Sequence, residues 1–74
     1  MKNDNLMKKI VNKIVEEFNL EWEYKGYCDN EIFFGGNLDG DKICDYIGDE
    51  FDTDCEFEWE VDGGIVMETL IRII

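Results

Sequence analysis

Between Asp52 and Asp62 every second residue is an acid: Asp52, Asp54, Glu56, Glu58, Glu60 and Asp62 alternate with Thr53, Cys55, Phe57, Trp59 and Val61. Carboxylates in such a row have three chemistries open to them: general acid–base work, binding of a hard cation, and recognition of a basic surface. The first needs one carboxyl raised in a cleft that holds a substrate, and 74 residues leave little room for such a cleft. The chain has no serine and no histidine, which rules out a serine triad and a histidine base. Cys28, Cys44 and Cys55 have no histidine to activate a thiolate. "FFGGN" and "VDGGI" lack the lysine and the spacing of a phosphate-binding loop. The expectation is a protein that is not an enzyme and carries no cofactor.

The second chemistry meets a spacing test. An EF-hand registered on Gly40 puts Gly35 at its first ligand position and Tyr46 at its twelfth, where acids are required. Registered on Gly63, it puts Thr69 at the twelfth and makes a loop of what reads as strand. The three cysteines show no C-x-x-C pair, so a zinc site is not expected either. Weak divalent binding by clustered carboxylates is what remains of a metal reading, and no metal-site residue is predicted.

The third chemistry has the whole charge balance behind it. Nineteen acids stand against seven bases, for a net charge of −12. Residues 1–15 hold four lysines and one acid, whereas residues 16–74 hold 18 acids and three bases. Nucleic acid and anionic membrane would both be repelled, and a basic protein surface is the natural complement. An odd number of cysteines without pairing motifs suggests a reducing, cytoplasmic setting. Neither a signal-peptide core nor a membrane-length apolar run is present in the sequence.

The elements that carry these residues follow from periodicity. Leu6, Met7, Ile10, Val11, Ile14, Val15 and Phe18 recur at helical spacing within residues 3–19, with Asn3, Asp4 or Asn5 as cap. Lys8, Lys9 and Lys13 fall on the polar face of that helix. Residues 20–27 alternate, placing Leu20, Trp22 and Tyr24 on one face and Glu21, Glu23 and Lys25 on the other. "EIFFGG" reads as a second strand. Ile43, Ile47 and Phe51 mark a short second helix capped by Asp39 or Asp41. The acidic row is a third strand, "DGG" a tight turn, and "IVMETLIRII" a last strand apolar on both faces. Such a strand belongs in the middle of a sheet or pairs with another molecule. The predicted fold is a single α+β domain over residues 1–74. Its order is α-β-β-α-β-β, with one four-stranded antiparallel sheet and both helices on the sheet's apolar face.

On a strand, alternate side chains share a face about 6.6 Å apart, a spacing comparable to successive phosphates along a nucleic-acid strand. Glu56, Glu58, Glu60 and Asp62 form the expected centre of the surface, extended by Asp52 and Asp54. Asp45 and Asp49 add charge from the second helix, and Glu21 and Glu23 are expected to flank the row from the first strand. Phe33 shares parity with Glu31 and is the candidate aromatic anchor. Trp22, Tyr24, Phe57 and Trp59 are assigned to the core. An ordinary strand with a polar outer face explains the alternation. It does not explain the shortage of compensating cations, for only Lys25 and Arg72 lie on strands. Mutual repulsion further predicts raised carboxyl pKa values, so that stability rises as the pH falls from 7.

In size, charge, element order and the row from Asp52 to Asp62, the chain resembles the small, very acidic single-domain inhibitors of phages and mobile elements. These include nucleic-acid mimics and anti-CRISPR proteins. The resemblance is to a class without a shared sequence signature. It implies a stoichiometric blocker that occupies the basic nucleic-acid cleft of a bacterial defence nuclease or another nucleic-acid enzyme. Acidic immunity proteins and antitoxins, which plug a basic toxin nuclease, are similar on the same physics. A divalent-cation binder, or a merely soluble interaction module, is the alternative of another class.

Overall fold

A computed structural model describes residues 4–74. Helix α1 (Asp4–Phe18) buries Met7, Ile10, Val11 and Ile14, the i, i+3, i+4, i+7 stripe expected of it. Asp4 and Asn5 stand inside the helical span, and the third cap candidate, Asn3, lies outside the described residues. The helix ends where Asn19 turns left-handed (φ 57°). Leu20 N–H then reaches back to the Val15 carbonyl at 2.9 Å, a Schellman closure with Leu20 buried behind it.

That closure alters the first strand. Residues 21–23 form a turn, and β1 spans only Tyr24–Cys28. Trp22 therefore does not enter the core as expected and is 93% exposed. Strand β2 (Glu31–Gly35) pairs antiparallel with β1, and a bulge at Gly26 (φ 141°) shifts the register. Helix α2 (Gly40–Phe51) starts at Asp39, whose carboxylate accepts from Lys42 N–H. It ends at Asp52, which is left-handed and donates its N–H to the Gly48 carbonyl.

Strand β3 (Cys55–Asp62) and strand β4 (Ile65–Ile73) form a hairpin closed by Gly63 and Gly64. Both glycines have positive φ, 60° and 81°, the requirement of a two-residue type I′ turn. The sheet is antiparallel throughout in the order β1-β2-β4-β3. Both helices pack on one face of it, giving the two-layer α+β fold in the order α-β-β-α-β-β. Strand β4 is central, between β2 and β3; Thr69, Ile71 and Ile73 are buried on its helix side, while Glu68, Leu70 and Arg72 are half-buried on the other. Ile71 and Ile73 close the core beside Ile32, Phe34, Ile43 and Ile47, while Ile74 is exposed.

One buried polar residue organises the loop between β2 and α2. Thr69 is fully buried, accepts from Leu38 N–H at 3.0 Å and donates to the Gly36 carbonyl at 2.8 Å. Gly36 N–H bonds the Met67 carbonyl, and the Trp59 indole N–H donates to the Leu38 carbonyl at 3.1 Å. The loop that delivers the Asp39 cap is thus latched to β3 and β4 from beneath. Trp59 lies on the helix side of β3, as expected, but 46% exposed rather than in the core. Helix α2 begins at Gly40, directly over the Phe57 ring, and so covers β3 no farther than that residue. Phe57 and Trp59 meet edge-on at 5.4 Å.

Candidate functional site

The registers define the sheet face turned away from the helices. Glu56 lies opposite Arg72, Glu58 opposite Leu70 and Glu60 opposite Glu68. On the other side of β4, Glu31 lies opposite Arg72 and Phe33 opposite Leu70. Glu31, Phe33, Glu56, Glu58, Glu60, Glu68, Leu70 and Arg72 therefore share one face. Asp62, paired with Ile65 beyond the bulge at Glu60/Val61, continues it toward the hairpin tip.

The row is shorter than its sequence pattern. Asp52 is the left-handed residue after α2 and Asp54 lies in the connecting loop, so neither stands on β3. Glu21 and Glu23 do not flank the row. They occupy the turn before β1, at the opposite edge of the sheet from β3. The Glu23 carbonyl is engaged there by Gly35 N–H at 2.7 Å. Asp45 and Asp49 are exposed on α2, in the layer behind the sheet, and with Asp41 they recur every fourth residue as one stripe.

The structure also brings cations to the row. The Arg72 guanidinium is 2.7 Å from Glu56, 3.1 Å from Glu31 and 3.3 Å from Glu58, a clasp across three strands. Hydrogen bonds that it donates to Glu56 first, then to Glu31, push its pKa up. Lys25 reaches Glu68 at 2.7 Å from β1. That contact holds the Glu68 carboxyl below its usual range, the reverse of the rise expected from crowding. Six carboxylates on the face thus meet two cations, and among the described residues Glu60 and Asp62 have no ion-pair partner.

Within this charged frame lies an open depression of about 440 Å³, lined by Phe33, Leu70, Glu58, Glu60, Glu68, Trp59 and Val61. An aromatic and an aliphatic side chain sit together there among three carboxylates. That is the chemistry for a lysine or arginine side chain, with its methylenes on apolar atoms and its head among acids. The parity of Phe33 was legible in the sequence. Leu70 and Glu68 were not singled out, although their shared parity with Arg72 on a two-faced strand is the signal that finds them.

On the other side of β3, the Cys44 and Cys55 thiols lie close enough to shift each other's pKa. Burial pushes both pKa values up, and nearby acids add to it: Asp41, Asp45 and Glu56 at Cys44, Asp54 and Asp45 at Cys55. Cys28 is exposed at the end of β1. Among the described residues no three Cys, Asp or Glu side chains converge as a metal site. No described helix is long and apolar enough to cross a membrane. Compared with known proteins, the chain matches no family model, no curated protein and no solved structure.

Proposed function

We propose that this protein binds, through the outer face of its sheet, a basic protein surface that otherwise holds nucleic acid, and so acts as an acidic inhibitor of a nucleic-acid enzyme. The observation that carries the reading is the depression around Phe33 and Leu70, set among Glu58, Glu60 and Glu68. Charge alone steers encounter, while buried apolar contact supplies most of the affinity. This face has both in one place. Arg72 pins Glu56 and Glu58 in register, so these two acids need less ordering when a partner arrives. Glu60 and Asp62 are the carboxylates left to meet lysine and arginine of the partner. The mechanism is occupancy: the inhibitor covers the cleft, and no bond is made or broken.

Affinity capture from a nuclease-treated bacterial lysate tests this reading. Wild type is compared with Glu58→Gln/Glu60→Gln and with Phe33→Ala, each first checked for a native melting transition. The expected result is a nucleic-acid-binding protein retained by wild type, released by salt, and lost with either variant. Equal retention by all three proteins would remove the outer face from the account.

A further inference from the structure

Strand β3 ends the sheet, and among the described residues no strand pairs with its far side. Its ladder geometry shows which backbone groups face outward. The Asp54 carbonyl accepts from Ile74 N–H at 2.9 Å, so even-numbered positions on this strand turn their backbone groups toward β4. Cys55, Phe57 and Trp59 accordingly turn their N–H and C=O groups to the open edge. The irregularity farther along places the extra residue, Met67, on β4, which leaves β3 itself regular through Val61. The other sheet edge is unlike it: β1 is five residues long and broken by the Gly26 bulge, whereas β3 runs eight.

The side chains beside this edge select what could pair with it. On the outer face stand Glu56, Glu58 and Glu60. On the helix side stand Phe57, Trp59 and Val61, the last two exposed beyond the reach of α2. Asp54 lies in the loop that enters β3, next to Cys55, and Asp41 and Asp45 are exposed on α2 in the layer behind the sheet. A second copy of β3 is a poor occupant, because antiparallel self-pairing sets glutamates against glutamates.

We infer that the open edge of β3 takes, as a fifth strand, an extended segment of the partner in which lysine or arginine alternates with apolar residues. This rests on the reading above that the partner is basic. Residues opposite Glu56, Glu58 and Glu60 would occupy the closer, non-hydrogen-bonded positions, where cross-strand ion pairs form. Their apolar neighbours would extend the exposed Trp59 and Val61 stripe, in the manner of β-strand addition.

The test uses the full chain and two blocked eight-residue peptides of equal charge. One alternates Lys and Val, and in the other two of the valines are prolines. Titration calorimetry at low salt should show the alternating peptide binding about tenfold tighter, since the prolines remove ladder hydrogen bonds. Amide exchange at Phe57 and Trp59 should slow with the alternating peptide only. Equal affinities without protection would overturn the edge proposal, while salt-sensitive binding of both peptides would leave the acidic-face reading standing. Binding of neither peptide would sink both. Protection of the same two amides that grows with protein concentration alone would assign the edge to a second copy and overturn the proposal as well.

Discussion

Replacing Thr69 by valine keeps the shape of the side chain and deletes one hydroxyl. In the native protein that hydroxyl accepts from Leu38 N–H and donates to the Gly36 carbonyl, and the residue is fully buried. The substitution leaves two backbone groups without their partner. At roughly 1 kcal/mol for each group left unsatisfied, the loss is about 2 kcal/mol. For a domain of this size that lowers Tm by about 8–16 °C, at roughly 4–8 °C per kcal/mol. Thr69→Ser retains the hydroxyl and loses only a methyl group, at about 1 kcal/mol. Thermal unfolding followed by circular dichroism ranks the three proteins, with wild type highest, serine next and valine lowest. Indole fluorescence adds a local readout, because the loop freed by Thr69→Val also carries the Leu38 carbonyl that holds Trp59. If Thr69→Val melts within about 2 °C of wild type, or above the serine variant, the latch contributes nothing and the reasoning is wrong.

Gly40→Ala drives a Cβ into the Phe57 ring, so it should cost about 1–3 kcal/mol in a urea titration; Gly40→Ala/Phe57→Leu should lose less than the two single changes added together. Iodoacetamide labelling near pH 8, followed by mass spectrometry, should modify exposed Cys28 first, with Cys44 and Cys55 slow because burial pushes both thiols up; three equal rates would contradict that environment. Lys25 lowers the Glu68 pKa from 4.5, so this pair stabilises the fold above the ordinary carboxylate range and the contribution is lost as the pH falls through the lowered value. Lys25→Met should accordingly melt below wild type at pH 7, with the gap narrowing as the pH falls below 4.5, and a constant gap would refute the linkage. Arg72→Met should sharpen the salt response, since Glu31, Glu56 and Glu58 lose their shared cation; a variant whose melting ignores added salt would mean that the clasp is unimportant.

Element order and the central place of β4 were legible because apolar periodicity is a local signal. Met7, Ile10, Val11 and Ile14 write a helix stripe, and the two-sided apolar run of β4 writes a buried strand. The ends of elements were less legible. Asp52 shares the alternation of the row, yet aspartate also tolerates the left-handed conformation that stops α2, and the stop prevails. Leu20 fits an alternating strand as well as it fits the residue after a Schellman turn, which is how Glu21, Trp22 and Glu23 came to be placed on a strand. Which strands flank β4 was beyond the pattern. Pairing of β2 with β4 joins residues 33 to 41 apart in sequence, and it alone puts Glu21 and Glu23 at the opposite edge from β3. The Arg72 clasp was half legible: the sequence marks Arg72 as one of two strand cations, while its reach to Glu31, Glu56 and Glu58 depends on that same pairing.

The most direct test of the central claim is a competition titration. A labelled oligonucleotide is bound to the captured nucleic-acid-binding protein, and wild type or Glu58→Gln/Glu60→Gln is added while fluorescence anisotropy is followed. The account predicts full displacement by wild type at one inhibitor per site, weakening steeply with salt, and little displacement by the variant. Displacement by both proteins alike, or continued oligonucleotide binding with wild type also bound, would contradict it.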